Sequence, residues 1–305
     1  MPAISKIPAG GGRISLSCHG SAAVFSELSS TYPLKLLSPR IAEDGVAVVY
    51  ILTYGGGLVS GDQVNLSVDI GEKAKLVILS QGSTKVFKTR PGHRLASVQP
   101  DLHHLSPTTQ IMTFVVNPNA SLFLLPDPVT CFRSASYNQI QTFHLTADAS
   151  AVILDWVTSG RRSLGEEWVF SRYYSVNEVL VDGKRIAKDA MLLDDSQIDA
   201  KPLPERALAE RLGPYSCYAT LFLVGPQVQA VIAELVRRYQ AISVMKMKSP
   251  DKVIWSLSPI TGNDYTSVIV RVAGEETEDV KGWLGEALQP VHHCIGKDVY
   301  RQVFR

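Results

Sequence analysis

Three short stretches of this chain repeat one pattern, and it restricts the fold more than any other feature. A turn is followed by alanine and an apolar run: Ala74-Lys75-Leu76-Val77-Ile78-Leu79, Ala120-Ser121-Leu122-Phe123-Leu124-Leu125 and Ala149-Ser150-Ala151-Val152-Ile153-Leu154. Runs apolar at successive positions are strands buried on both faces, not half-exposed hairpins. Their spacing is too uneven for a regular solenoid, yet it suits β-layers stacked around an elongated core. The expected architecture is mainly β, a stacked, β-helix-like scaffold.

Polar residues follow each run: Ser80-Gln81-Gly82-Ser83-Thr84-Lys85, then Pro126-Asp127-Pro128, then Asp155-Trp156-Val157-Thr158-Ser159-Gly160-Arg161. If the runs stack in register, these ends share one edge. A glycine-rich loop, Thr53-Tyr54-Gly55-Gly56-Gly57-Leu58-Val59-Ser60-Gly61-Asp62, belongs at the same edge. It follows the apolar run Val46 to Leu52 and precedes an alternating one, Val64 to Ile70.

The loop is not a phosphate cradle. Gly56 and Gly61 fit the glycine frame of a P-loop, but Asp62 and Gln63 stand where lysine and a metal-binding hydroxyl are needed. A carboxylate there repels phosphate, and no helix is signalled after it. Ser60 sits one place too late for a nucleophile elbow. The reading left is a tight structural or contact loop.

The last third changes character. Tyr215 to Val224 reads as a strand, and Gly225-Pro226 opens a helix with Val228, Val231, Ile232, Leu235, Val236 and Tyr239 on one stripe. A strand over Thr266 to Val272 leads to a second helix, acidic in its first turn, with Val280, Trp283, Leu284, Ala287 and Leu288 on one face. The expected organisation is one domain over 1–305, a β body over about 13–200 and a strand-helix region over about 210–305. Lys201-Pro202-Leu203-Pro204 is a candidate linker between them.

Charged residues are only 19% of the chain against 45% hydrophobic, which points to extensive contacts with partner proteins. A net charge of +1 gives nucleic acid no electrostatic footprint. No apolar segment reaches bilayer length and Met1 to Arg13 lacks a signal-peptide core, so a cytoplasmic protein with no membrane contact is expected. The four cysteines lie far apart with no C-x-x-C, which excludes a standard zinc site or a disulfide framework.

His103-His104 and His292-His293-Cys294 are the histidine clusters, and neighbours on a strand point to opposite faces, which disfavours chelation. Asp62, Asp155 and Glu166 stand beside glycine-rich turns or strand ends. Each can tie down loop amides, or serve as a transient oxygen ligand for a metal, or form half of an acid/base pair. Nothing in the sequence links Ser60, Ser159 or Cys131 to a particular histidine. Arg161-Arg162 can grip a partner's carboxylate or lie on a solvated turn.

Five motifs together resemble the family of urease accessory proteins called UreD, or UreH in some bacteria. They are Tyr32-Pro33-Leu34-Lys35-Leu36-Leu37, the glycine loop from Thr53 to Asp62, Gln81-Gly82-Ser83-Thr84-Lys85-Val86-Phe87, Pro126-Asp127-Pro128-Val129-Thr130-Cys131-Phe132, and Asp155 to Arg161 followed by Gly165-Glu166 and Trp168. Their wording is similar to the plant and fungal branch. The resemblance covers about residues 13–195 by ordered motifs and the last third more loosely.

It implies a predominantly β fold with two helices and a non-catalytic scaffold that helps load nickel into apo-urease. It implies binding to urease and to UreF, and through UreF to the nickel-carrying GTPase UreG, with a dimer within that complex allowed. It also implies an internal water-filled passage as the metal's route, with nickel only in transit and no cofactor of the protein's own. On that implication Asp62, Asp155 and Glu166 are the residues expected along the path. The alternatives from other classes are a β-rich serine hydrolase using Ser60 or Ser159, and a nickel store with its own tight site.

Overall fold

The computed structural model describes residues 7–88, 107–194, 206–242, 251–262 and 264–304. His103-His104 and the segment Lys201-Pro202-Leu203-Pro204 lie outside the described residues. The chain opens with a hairpin, β1 (Gly11–His19) and β2 (Ala22–Ser30), followed by a second, β3 (Leu34–Leu37) and β4 (Val46–Thr53). Then it coils. β5 (Gln63–Ile70) joins the sheet of β1, and β6 (Lys75–Ser80) and the short β7 (Thr84–Val86) join the sheet of β4. β8 (Thr108–Val116) returns to the first sheet, β9 (Ser121–Leu124) and β10 (Val129–Cys131) to the second, β11 (Ser136–Leu145) to the first and β12 (Ser150–Thr158) to the second. β13 (Arg172–Val181) closes the last coil, and β14 (Lys184–Asp194) folds back on it antiparallel.

The sheet-to-sheet alternation stacks the coils as parallel rungs. In the first sheet β1, β5, β8, β11 and β13 run parallel, and in the second β4, β6, β9 and β12 do so. The alanine-led runs lie in register: Leu76, Leu122 and Ala151 share a rung, as do Ile78, Leu124 and Ile153. The alanines explain how the corners stack. Ala74, Ala120 and Ala149 each close a turn by donating to the residue three before, and each is buried. The main chain of Ser121 then donates to the Ala74 carbonyl, and that of Ser150 to the Ala120 carbonyl. Pro118 followed by Asn119 at a φ of 56° gives the middle corner the pattern of a type II turn.

Both faces of the second sheet are covered, as unbroken apolar strands require. Ala47, Val49, Leu76, Ile78, Leu122, Leu124 and Ile153 face inward against Ile14, Val68, Phe114 and Phe143 of the first sheet. Phe114 and Phe143, neighbours in register, stack at 4.7 Å. Val48, Val77, Phe123, Val152 and Trp156 face outward.

The last third supplies the outer cover. A short helix α1 (Leu208–Leu212) precedes β15 (Cys217–Val224), which extends the second sheet. Helix α2 (Gln229–Gln240) follows, then the hairpin β16 (Val253–Thr261) and β17 (Asp264–Gly274). Helix α3 (Thr277–Ala287) and two short helices, α4 (His292–Ile295) and α5 (Lys297–Val303), end the described chain. Val231, Ile232 and Leu235 of α2, Val280 and Leu284 of α3, and Ile295 and Val299 pack on the outward face. The two expected amphipathic helices are therefore α2 and α3, and among the described residues three shorter α-helices accompany them.

Candidate functional site

The five motifs meet at one edge of the coil. Leu58 of the glycine loop donates its main-chain N–H to the Lys85 carbonyl at 2.8 Å, and Phe87 donates back to Leu58 at 2.8 Å. β7 pairs with β10, and β10 with β12, so Thr130 lies beside both Lys85 and Thr158. The Thr130 and Thr158 hydroxyls, both buried, are 2.9 Å apart. Phe87 meets Phe132 edge to face at 5.1 Å, and the Arg161 guanidinium lies 4.1 Å from the centre of the Phe132 ring. Asp127 accepts from the Gly82 main chain at 3.0 Å, and the Trp156 indole donates to the Pro126 carbonyl at 2.8 Å. The polar strand ends thus share the edge that stacking in register requires.

A cavity of about 40 Å³, room for about three waters, leads inward from this edge. Ser80, Thr84 and Asp127 line it on the edge side, and Gln110, Gln139, Gln141 and Asp155 on the inner side. The wall glutamines follow the strand register, with polar neighbours behind them: Gln110 and Gln139 share a rung with Ser175, and Gln141 sits beside Asn177 on the next inward one. All five are buried.

Asp155 projects from β12 into this polar layer. Its carboxylate accepts from Ser175 Oγ and Asn177 Nδ2 at 2.6 Å each, from Gln139 Nε2 at 2.9 Å, and from the Tyr173 hydroxyl at 3.4 Å. All four donors are neutral. Burial pushes its carboxyl above the usual aspartate value, and the hydrogen bonds from Ser175, Asn177 and Gln139 oppose that shift. Close by, Gln141 Oε1 and Asn177 Oδ1 are buried acceptors with no donor. The layer therefore sets two acceptor oxygens without donors beside an anion whose hydrogen-bond donors are all neutral.

The structure separates the three expected carboxylates rather than converging them. Asp62 caps its own loop, accepting from the Val59 N–H at 2.8 Å. Glu166 is buried and gripped at both oxygens by Arg161, at 2.8 and 2.7 Å, with Arg133 3.7 Å away. The Arg161 hydrogen bonds hold its carboxyl below the usual glutamate value. Arg162, for its part, binds Glu167 and Glu276 and so ties the turn after β12 to the start of α3.

Among the described residues no three His, Cys, Asp or Glu side chains are grouped to hold a metal ion. His292 and His293 lie on α4 rather than on a strand, with ring centres 3.9 Å apart, because Pro290 and the preceding helix carry the chain into a helical turn. Burial pushes the Cys131 and Cys217 thiols up, Cys217 to about 12, so neither presents a thiolate at neutral pH. Ser159 is buried, and its hydroxyl has no hydrogen-bond partner. No helix among the described residues is long and apolar enough to cross a membrane.

The inner glutamines were not legible as site residues. Gln139 and Gln141 alternate with Ile140 on β11, the pattern of a half-exposed strand with its polar side outward. Here the polar side faces in.

A two-sheet coil whose motif-bearing turns gather at one edge, above a polar inner cavity, defines a β-solenoid protein. Comparison with known proteins sharpens this. The family model described as UreD urease accessory protein matches residues 9–302. Urease accessory protein 4 of Cryptococcus neoformans var. grubii is 39% identical over 300 residues, covering 93% of this chain and 90% of that protein. Urease accessory protein D of Arabidopsis thaliana is 32% identical, covering 95% and 99%, and urease accessory protein UreD of Sorangium cellulosum 31%, covering 96% and 83%. The chain belongs to the UreD urease accessory protein family.

Proposed function

We propose that this protein is a non-catalytic, cytoplasmic scaffold of urease maturation that helps deliver nickel to apo-urease. In this reading it bridges urease with UreF and, through UreF, with the GTPase UreG. Nickel is cargo, not a resident cofactor, and it passes by way of the inner cavity beside Asp155. One observation carries the reading: a half-buried carboxylate with only neutral donors, next to two buried acceptor oxygens without donors. Such a layer attracts a cation, because an uncompensated buried anion is costly. Oxygen ligands suit an ion in transit, since they hold it briefly where thiolates would trap it. Asp62 and Glu166 keep their place on the proposed path as carboxylates of the motif edge, each with a local structural duty as well.

Isosteric change separates passage from scaffolding. Asp155→Asn, Asp62→Asn and Glu166→Gln are each co-expressed with urease, UreF and UreG, and urease activity, bound nickel and complex assembly are measured together. The expected result is Asp155→Asn complexes that assemble normally while urease stays short of nickel. Full activation by Asp155→Asn would move the path elsewhere. Because burial raises the Asp155 carboxyl, nickel loading should fall with decreasing pH sooner than an ordinary aspartate would allow.

A further inference from the structure

The first sheet of the coil keeps one face in the core and turns the other outward. Its strands stand in the order β14, β13, β11, β8, β5, β1, β2, so β8 is the middle one of seven. On the outer face the register lines side chains up in rows. Glu27, Asp69, Val115, His144 and Arg185 share one row, Arg13, Thr113, Glu178 and Lys188 the next, and Ile111, Ile140, Val176 and Ala190 a third. Parallel strands are ordinarily covered on both faces. Here α2 to α5 pack on the second sheet, and Ile111 and Val115 of β8 remain 40% and 39% exposed.

Two properties suit this face to a copy of itself. The first is its charge pattern. A two-fold axis laid along β8 sets β5 opposite β11 of the other copy, β1 opposite β13 and β2 opposite β14. Each row then meets its own row reversed, with Ile111 on Ile111 and Val115 on Val115 at the axis. Asp69 faces His144, Arg13 faces Glu178 and Glu27 faces Arg185. Lys188 faces Ser29, whose hydroxyl donates to Glu27 at 2.9 Å. No like charges of these rows meet. Among the described residues Arg13 and Lys188 have no carboxylate within salt-bridge distance, and Glu27 and Asp69 no cation. The second property is size. The seven strands are 8 to 11 residues long, and at about 4.8 Å apart they make a face of roughly 900 Å². A standard interface takes about 800 Å² from each partner. Sheets packed face to face keep their strands aligned within about 30°, as this axis does.

We propose that two copies of this chain pair directly through the outer faces of their first sheets. Ile111 and Val115 sit at the two-fold axis, and Arg13 with Glu178 and Glu27 with Arg185 are the charge pairs formed across it. Glu178 also holds Arg185 of its own copy at 3.1 Å, so the four groups join into one network instead of two isolated surface pairs. In an isologous contact every pairing occurs twice, and a single charge reversal therefore acts twice. This pairing concerns how the chain assembles with itself and is independent of the nickel reading.

The test is sedimentation of the purified full-length protein over a concentration series, after melting curves confirm that each variant folds. Wild type should sediment as a dimer. Arg13→Glu alone and Glu178→Arg alone should each dissociate at least about tenfold more readily, because each sets like charges together at both positions. An equal mixture of these two variants should dimerise again, since each then meets an opposite charge on the other. Ile111→Asp, which places two carboxylates at the axis, should stay monomeric. A monomeric wild type at tens of micromolar would overturn the proposal, and so would a dimer that survives either reversal or a mixture that remains monomeric. A monomeric wild type whose binding to UreF is lost in Ile111→Asp would overturn it as well, by giving the face to UreF.

Discussion

Replacing Gly57 with alanine should damage this protein more than the same change one residue earlier. Gly57 has a φ of 166°, extended backbone that any residue adopts, so conformation is not its constraint. Space is. A Cβ there would stand 2.6 Å from Phe87 Cε2, 2.7 Å from the Lys85 carbonyl oxygen and 3.0 Å from Lys85 Cβ. The Phe87 ring can turn away, but the carbonyl is main chain and already accepts from Leu58. Relief requires prising the loop off β7, which weakens the two 2.8 Å bonds between Leu58 and its partners. Overpacking costs about 1–3 kcal/mol and each weakened bond about 1 kcal/mol, so the expected loss is about 3–5 kcal/mol. Gly56 is the reverse case: its φ is 77° with open space above it, and alanine there costs about 1 kcal/mol in conformation alone. For a chain of this size the melting temperature falls by about 2 °C per kcal/mol. Gly57→Ala should therefore melt about 6–10 °C below wild type and Gly56→Ala about 2 °C below, in circular-dichroism melts at one scan rate. Adding Phe87→Leu to Gly57→Ala should recover less than half of the loss, because the carbonyl contact remains. If Gly57→Ala melts with or above Gly56→Ala, the loop does not press on β7 and the steric argument fails.

Glu166→Gln should cost about 1–2 kcal/mol at neutral pH, reduced from the value for a fully buried pair because the Arg161 side chain is 37% exposed. The Glu166 carboxyl is held below its ordinary value of 4.5, so its stabilisation is present above that pH and is lost as pH falls through the lowered value. Denaturation of the two proteins should accordingly converge in acid, and a difference that persists there would show packing, not charge, at work. The low charge fraction predicts that the protein made alone is sparingly soluble and that co-production with UreF raises its soluble yield, read by size-exclusion chromatography. A monodisperse protein indifferent to UreF would refute that.

The sequence carried the stacked β-layers because its runs are apolar at consecutive positions, as strands covered on both faces are. It carried the shared edge because in-register stacking leaves no other place for the residues after Leu79, Leu125 and Leu154. β16 escaped notice: Trp255, Leu257 and their serine neighbours alternate too briefly before Pro259 interrupts them. The polar inner layer escaped for a deeper reason. Alternation states that Gln139 and Gln141 share a face, but not which face, and only the partners in register show that it turns toward Asp155. The carboxylates split the same way. Asp62 and Glu166 read equally well as loop ties and as ligands, and their geometry reveals the ties.

The outer face of the second sheet has a consequence in time. Val48, Val77, Phe123, Val152 and Trp156 all lie on strands made before residue 160, whereas the residues that cover them, on α2, α3, α4 and α5, belong to the last quarter of the chain. Synthesis runs from the N-terminus, and parallel rungs such as Lys75 against Ser121 close only after a whole coil has been made. A ribosome therefore releases an apolar wall well before it releases the helices that shield it. Any stall, nick or truncation ahead of Gln229 leaves that wall open, so the intactness of this chain's end governs whether its beginning stays in solution.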